Sequence, residues 1–327
     1  MERIDKEKNE GVKPEGYEKY VRRKENAKKT VRKTKDMKAW IDECDRDLSV
    51  RFKVIAEDIS QQKDLKLVRL IGPTCAGKTT AARMLCKNFA AYGKRLHVIS
   101  LDDFYFNTDV LREISNKNGN TKIDYDSPDT LDIAELERFV GEIFTKDRSH
   151  CPIFDFKVGK RNGYREYLCE DEDVFLFEGI QALYPVVSEI FAKQGHPSTE
   201  IYIATQSSIR IGGWVFEPNE IRLMRRIVRD RNFRNSEAEF TFELWHNVRE
   251  NEEKNIFPYV SLCKYSIDTT QPYEIGVLKP YLISALSALP KGSEYERDGK
   301  RILEKLSAVG VISHELIGED SLYKEFV

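Results

Sequence analysis

The fold is decided by a stretch that begins at Lys66 and contains Gly72-Pro73-Thr74-Cys75-Ala76-Gly77-Lys78-Thr79. Lys66 to Ile71 reads as an apolar strand, and Thr80 to Tyr92 reads as a helix. A strand, a GxxxxGK[ST] loop and a helix, in that order, are the pattern of a phosphate-binding P-loop. The alternative is a glycine turn that only joins strand to helix. A chance match in a chain of this length has odds of roughly one in a hundred, so we expect a P-loop.

Each position of this loop has an expected task. Gly72 and Gly77 allow a tight backbone whose amides point at the phosphates, at the positive end of the following helix. The Lys78 ammonium can reach the β- and γ-phosphates, and the Thr79 hydroxyl can ligate magnesium. We therefore expect ATP and Mg²⁺ as cofactors. The predicted ATP-binding residues of the loop are Gly72, Thr74, Cys75, Ala76, Gly77, Lys78, Thr79 and Thr80.

Strands and helices alternate after the loop. Leu96 to Leu101, Val174 to Phe177 and Glu200 to Ala204 read as strands, with helical patterns between and after them. This alternation predicts an α/β fold, a doubly wound and mainly parallel sheet. We divide the chain into a charged, disordered arm (1–39), an N-terminal helix (40–64), the P-loop domain (65–290) and a C-terminal helical extension (291–327). The helix should bury one apolar face, formed by Leu48, Phe52, Ile55 and Ile59.

Composition narrows the class of protein. The 327 residues carry a net charge of −2, but nine Lys and Arg lie between Arg22 and Lys38. Such a run could touch nucleic acid; no aromatic residue is interleaved with it, so a solvated tail is favoured. The six cysteines form no CxxC pair, which disfavours a zinc site or a disulfide framework. With no apolar run long enough for a membrane span, we expect a cytoplasmic protein. A homo-oligomer stays open.

Acidic residues follow two of the predicted strands. Asp102 and Asp103 come after the strand ending at Leu101, and Glu178 follows the strand ending at Phe177. The carboxyl ends of parallel strands meet beside the ligand crevice. A phosphoryl acceptor needs its hydroxyl oriented and deprotonated, and ATP needs a metal. A lone Asp after a strand is more often a cap or turn residue, but two such sites beside a P-loop favour a catalytic role.

One predicted helix carries a stripe of arginines. Arg222, Arg225, Arg226 and Arg229 fall at i, i+3, i+4 and i+7, so they share a face. A charge run is usually a solvated face. Beside a P-loop, guanidinium groups can instead offset the charge that develops on a transferring phosphoryl group. We therefore expect a helical lid that closes over ATP.

Five motifs, in chain order, resemble those of the uridine kinase and phosphoribulokinase family of P-loop kinases. The pieces are residues 72–80, 100–105, 124–129, 177–180 and 225–230. Within the family the chain looks most like bacterial uridine kinase-like proteins, because of the segments 156–161, 247–258 and 273–279. The resemblance implies a kinase with an alcohol acceptor.

The resemblance also implies roles for single residues. Asp102 would be the general base that accepts the proton of the acceptor's 5′-hydroxyl, and Asp126 would hold the sugar hydroxyls. Glu178 would assist Thr79 at the magnesium ion. The residues expected at the triphosphate are Lys78, Arg225, Arg226 and Arg229, and those expected at the acceptor, besides Asp102 and Asp126, are Tyr105, Phe154 and Arg161.

Two positions depart from the family's pyrimidine nucleoside kinases. Where those carry a Tyr and a His near the base, this chain has Phe154 and Gly159. We expect an ATP-dependent kinase of a nucleoside resembling uridine or cytidine. One alternative is a kinase of another small sugar or polyol, and these departures bear on that choice. A second is a nucleotide-binding regulatory or RNA-associated protein without turnover.

Overall fold

A computed structural model describes residues 28–32, 34–117, 119, 123 and 127–327 of the chain. The strands within these residues are β1 (Lys28–Thr30), β2 (Leu67–Ile71), β3 (Leu96–Ser100), β4 (Arg148–Asp155), β5 (Lys160–Leu168), β6 (Val174–Glu178), β7 (Ser198–Ala204), β8 (Ser208–Ile211), β9 (Trp214–Phe216) and β10 (Tyr265–Asp268). The α-helices are α1 (Met37–Ser60), α2 (Lys78–Ala91), α3 (Thr108–Lys117), α4 (Ile133–Thr145), α5 (Pro185–Lys193), α6 (Pro218–Arg234), α7 (Ala238–Asn255), α8 (Glu274–Ser287) and α9 (Glu296–Ser307).

Five strands form the central sheet, in the order β10-β7-β2-β6-β3, and each neighbouring pair is parallel. The predicted α/β fold with a parallel sheet is confirmed. The strand β2, which leads into the P-loop, lies in the middle of the sheet, and all five of its residues are buried. The loop is therefore anchored at the centre of the sheet's carboxyl edge, with strands on both sides.

The two faces of the sheet bury separate apolar layers. Side chains alternate along a strand, so Val68 and Leu70 join one layer with α1, α2, α6 and α8. Leu67 and Ile71 join the opposite layer with α4 and α5. Helices on both faces are what a parallel sheet requires, because its strands have no polar side to expose.

The N-terminal region differs from the expected disordered arm. Residues 1–27 and 33 lie outside the described residues, but β1 pairs in parallel with β8, which is antiparallel to β9. Helix α1 begins at Met37, where the Asp36 side chain accepts the Ala39 N–H at 2.9 Å. The sequence did not indicate this strand, because its lysines suggested a solvated tail. Lys29 instead faces the Asp268 carboxylate inside the protein. The four apolar residues expected on the helix are buried.

Two further segments complete the fold. Residues 108–117 form helix α3, whose Leu111 is buried. The C-terminal extension packs on the P-loop domain. After α9 the chain turns back, and Leu322, Tyr323 and Phe326 enter the same apolar layer as Val68.

None of the helices in the described part of the chain has both the length and the apolar character that crossing a lipid bilayer demands.

Asp268 ties β1 to the central sheet. Its Oδ1 accepts the N–H groups of Gln206 and Thr270, each at 2.9 Å, and its Oδ2 accepts the Ser207 hydroxyl at 2.5 Å. The Lys29 ammonium lies 3.1 Å from Oδ2. Burial alone would raise the pKa of this carboxyl group, but Lys29 and these donors outweigh it and lower the pKa to about 2.

We expect Asp268→Asn to lower the free energy of unfolding at pH 7 by about 2 kcal/mol, because a carboxyl pKa of about 2 lies below its ordinary 3.8. A depressed pKa stabilises the fold above about pH 4 and loses this effect as the pH falls toward 2. Urea unfolding of both proteins should therefore show a difference that closes across that window. Asp298→Asn, which alters an exposed carboxylate, is the control. A difference that persists unchanged at pH 2 would contradict this account.

Candidate active site

Two glycines give the P-loop its close packing. A Cβ at Gly72 would lie 2.5 Å from the Ile203 carbonyl oxygen on β7, so only glycine lets the loop approach that strand. Gly77 has a φ of 93°, in the left-handed region, and a Cβ there would lie 2.3 Å from Leu322. Cys75 also has a positive φ, 58°. The loop thus adopts a conformation that its glycines permit, and Gly77 precedes the first residue of α2.

The functional groups of the loop have different surroundings. Lys78 Nζ folds back over the loop and donates to the Gly72 and Pro73 carbonyls at 2.9 and 3.4 Å. The Thr79 side chain is exposed. Thr80 is buried, and its hydroxyl donates to Glu325 at 3.0 Å. Lys78 and Thr79 are therefore open to a ligand, whereas Thr80 is covered by the chain's own C-terminal segment.

The arginine stripe of α6 braces the loop from behind. Arg222 is paired with both oxygens of Glu252 at 2.6 and 2.7 Å and also donates to the Thr74 carbonyl at 3.3 Å. Arg225 is paired with Glu274 at 2.7 and 3.0 Å and donates to the Cys75 carbonyl at 3.1 Å. Both side chains are buried, so these two arginines hold the backbone of the P-loop in place.

The prediction that Arg225 contacts the triphosphate is wrong for this conformation. Its side chain is fully buried, at 0% exposure, and its donors are taken by Glu274, Thr269, Tyr323 and the loop carbonyl. The spacing of the arginines correctly predicted that they share one face of a helix. It could not predict that Glu274 pairs with Arg225. In the described conformation, α6 packs in the core rather than standing over the loop as an open lid.

Three more arginines of α6 surround a single carboxylate. Asp230 is paired with Arg226 at 3.2 Å, with Arg229 at 2.6 Å and with Arg234 at 3.7 Å. Burial opposes the charge of Arg229, but the nearby Cys75, Asp230 and Glu325 raise the pKa of its guanidinium. Three guanidinium groups share the Asp230 carboxylate, so positive charge gathers at this end of α6. The roles of Arg226 and Arg229 at the triphosphate stay predictions.

The two predicted carboxylates lie near each other, and Glu178 also interacts with Lys78. Asp102 lies in the short 3-10 helix after β3, and Glu178 is the last residue of β6. Burial raises the pKa of Glu178, the charge of Lys78 lowers it, Asp102 raises it, and a hydrogen bond from Ser100 lowers it. These interactions place both carboxyl groups and the ammonium at one end of the sheet.

Gln181 is a site residue that the sequence analysis missed. It is fully buried in the 3-10 helix after β6. Its Nε2 donates to Asp102 Oδ1 at 2.9 Å and to the Tyr105 hydroxyl at 2.6 Å. The amide therefore fixes one oxygen of Asp102 and leaves the other for a further donor. A lone glutamine three residues after Glu178 carries no motif, so only its place next to the predicted strand end could have suggested it.

The β4–β5 hairpin is fastened to the segment that carries Asp102. Asp103 accepts the Phe154 N–H at 3.0 Å. Arg161 pairs with Asp132 at 2.9 Å and donates to the Tyr105 carbonyl at 3.3 Å. The predicted acceptor contact of Arg161 is corrected here, because its guanidinium joins the hairpin to neighbouring segments of the protein.

Three aromatic rings line the hairpin's side of the site. Tyr105 contacts Phe154 and Phe156 edge-on, at centroid distances of 5.7 and 6.1 Å. Phe154 is buried, whereas Phe156 is 60% exposed. Phe156, not the predicted Phe154, is therefore the ring that could stack on a ligand. The sequence suggested Phe154 by its position in the motif, but burial on the strand turns its face away from solvent.

Gly159 has a structural reason to be glycine. A Cβ there would lie 2.1 Å from the Thr108 hydroxyl, and the φ of 69° is left-handed. The Gly159 carbonyl accepts the Thr108 N–H at 2.8 Å. Helix α3 thus begins against the hairpin, and no side chain can project from position 159 toward an acceptor. The predicted sugar contact of Asp126 lies outside the described residues and stays a prediction.

The parallel sheet and the loop at its carboxyl edge define a P-loop nucleotide-binding protein. The family model described as "Phosphoribulokinase / Uridine kinase family" matches residues 67–272. A uridine kinase of Ureaplasma urealyticum is 28% identical over 182 residues, which cover 56% of this chain and 77% of that protein. A uridine kinase of Clostridium tetani is 25% identical over 182 residues, covering 56% and 76%. The structure of phosphoribulokinase from Rhodobacter spheroides superposes with a TM-score of 0.40 at 16% identity, covering 64% of this chain and 74% of that one.

Because the family model spans more than half of the chain, this protein belongs to the phosphoribulokinase and uridine kinase family. The resemblance inferred from the sequence motifs is confirmed. The chain is accordingly a small-molecule kinase, a phosphotransferase with an alcohol acceptor.

Removing Arg225 should unfold the protein readily. We expect Arg225→Met to cost about 3 kcal/mol or more of unfolding free energy, because Glu274 would be left buried without its counter-charge. Urea unfolding measures this loss. Arg234→Met, on the same helix but 60% exposed, is the matched control. Combining Arg225→Met with Glu274→Gln should recover part of the loss; equal unfolding free energies for Arg225→Met and the control would refute the bracing role.

Proposed function

We propose that this protein transfers the γ-phosphate of ATP to a hydroxyl of a nucleoside that resembles uridine or cytidine. The observation that carries the proposal is the arrangement of Asp102, whose carboxylate is held by Gln181 at one oxygen and lies near Glu178. Glu178 in turn interacts with Lys78 of the P-loop. A base for the acceptor and a cation for the phosphate thus lie at the same end of the sheet.

The chemistry follows from these positions. The free oxygen of Asp102 would accept the proton of the acceptor hydroxyl as that oxygen attacks the γ-phosphorus and ADP leaves. Lys78 would leave its loop carbonyls for the β- and γ-phosphates, with Arg226 and Arg229 adding positive charge. The transferring phosphoryl group would lie between Asp102 and Lys78.

Mg²⁺ fits the same end of the sheet. The exposed Thr79 hydroxyl and the Glu178 carboxylate are oxygen donors, which this ion prefers. Asp102 supplies a second carboxylate near Glu178. Bound there, the ion would neutralise charge on the phosphates. The raised pKa of Glu178 suits such a site, because a nearby cation would favour its ionised form.

The β4–β5 hairpin indicates what shape of acceptor the site would take. Phe156 is exposed beside Tyr105 and Phe154, so a planar base could stack on it. The relatives named uridine kinase support the same class of acceptor. Stacking is tolerant of the base's identity, so this site would discriminate weakly among nucleosides.

A second candidate function, the phosphorylation of another small sugar or polyol, is favoured by what the hairpin lacks. Gly159 offers no side chain, and the Arg161 guanidinium is committed to Asp132 and to backbone carbonyls. Without such groups, an acceptor would be held mainly by its hydroxyls. The two candidates share Asp102 and the P-loop, so they differ only in the acceptor.

An ADP-release assay across nucleosides, sugars and polyols should find one class of acceptor. In that assay we expect Asp102→Asn to cut turnover about a hundredfold or more while ATP binding is kept, because the amide cannot accept the proton. Asp129→Asn, a nearby acidic change outside the proposed machinery, serves as the control. Near-normal turnover in Asp102→Asn would show that Asp102 is not the base. If none of the acceptors supported ADP release, both candidates would be rejected.

Gln181 should act by positioning Asp102. We expect Gln181→Leu to lower kcat about tenfold to a hundredfold with an unchanged KM for ATP. Gln194→Leu, at the end of α5, is the matched control. A fall in kcat that comes with a matching loss of folded protein would point to a merely structural role.

A further inference from the structure

The segment Ser321–Phe326 lies directly on the P-loop. It forms a short 3-10 helix whose Leu322 side chain fills the space beside Gly77. Tyr323 is fully buried, and its hydroxyl accepts from Arg225 at 2.6 Å and contacts Glu274 at 3.0 Å. The segment is therefore an ordered part of the fold that reaches the same arginine that braces the loop.

Glu325 brings a carboxylate to the first turn of α2. Its Oε2 accepts the Thr80 hydroxyl at 3.0 Å. Burial raises the pKa of Glu325, whereas hydrogen bonding from Thr80 and the charges of Arg225 and Lys78 lower it. An anionic group of the chain itself thus sits among the donors and cations of the P-loop.

These donors are the ones that a phosphate would use. The first N–H groups of a helix have no intrahelical partner, and together with the helix dipole they form an anion site. The Ala81 N–H is already bonded to the Gly77 carbonyl, and the Thr80 hydroxyl donates to Glu325. While the carboxylate accepts this hydroxyl, the hydroxyl is not available to a nucleotide.

We propose that residues 321–326 act as an internal ligand of the nucleotide site, with the Glu325 carboxylate in the place of a nucleotide phosphate on Thr80. ATP then binds only when the Glu325 side chain leaves Thr80, while Leu322, Tyr323 and Phe326 stay buried in the core. The inference rests on the proposed use of the P-loop for ATP. It adds an intramolecular competitor to that site. The measured affinity for ATP therefore includes the free energy of ATP's own contacts and the cost of moving Glu325 away from Thr80.

Release needs only the Glu325 side chain to move, because Leu322, Tyr323 and Phe326 anchor the segment in the core. The residues just before the segment are held weakly: Lys87 and Asp320 form an exposed pair at 3.2 Å, and Glu319 is 94% exposed. A triphosphate carries several charges against one on Glu325, so a nucleotide would gain more from the same cations.

Nucleotide affinity tests the competition. Binding of ATP should be measured on the full chain, on Glu325→Ala and on Glu319→Ala, whose carboxylate lies just before the segment and faces solvent. We expect Glu325→Ala to bind ATP about fivefold or more tightly, because the competing contact is gone, and Glu319→Ala to match the unaltered chain. Unchanged or weaker binding by Glu325→Ala would overturn the proposal and make the segment a fixed wall of the site.

Hydrogen exchange provides a second readout on the unaltered chain. Adding ATP should speed the exchange of the amides of residues 321–326 while it slows exchange in the P-loop. Slower or unchanged exchange in the segment, with a protected P-loop, would overturn the internal-ligand proposal alone. If ATP protects no part of the P-loop and binds to none of the variants, the proposed function fails as well, so the two failures are told apart.

Discussion

The arrangement of the site depends on the buried ion pair of Arg225 with Glu274. The guanidinium bonds this carboxylate, the Cys75 carbonyl, Thr269 and the Tyr323 hydroxyl. A fully buried arginine needs nearly all of its donors satisfied, and losing one partner leaves an uncompensated charge in a medium of low polarity. Helix α6, the P-loop, the end of β10 and the C-terminal segment must therefore be in place together, and the shape of the loop is a property of the whole domain.

The chemistry of the site follows from the strand order. With β2 between β7 and β6, and β3 beside β6, parallel strands deliver the loop, Glu178 and Asp102 to one edge. None of these residues needs to be near another in sequence. The buried amide of Gln181 then converts proximity into orientation, because it selects which carboxylate oxygen of Asp102 stays available. Positioning of this kind suits phosphoryl transfer, in which the protein contributes geometry and charge rather than covalent chemistry.

Local patterns predicted the sheet, the loop and the two carboxylates, because strand periodicity and the GxxxxGK[ST] spacing are short-range signals. The partner of Arg225 stands 49 residues away, and the contact between Thr80 and Glu325 spans 245 residues. No periodicity encodes such distances, so the arginine stripe was assigned to a lid and the C-terminal segment to a separate extension. The sequence pointed to Phe154 rather than Phe156 for another reason: which ring faces solvent depends on the register of the hairpin.

The hairpin touches the catalytic segment through few points, chiefly Asp103, Arg161 and Gly159. The apolar side chains of its outward positions, such as Phe156 and Val158, are exposed. Mutations there cost little stability, whereas mutations at the fastening points would displace Asp102's own segment. Natural selection can therefore alter the acceptor's neighbourhood without disturbing the machinery that handles phosphate. A fold of this design is evolvable in its choice of alcohol and conservative in its chemistry, which suits a family whose members act on different small molecules.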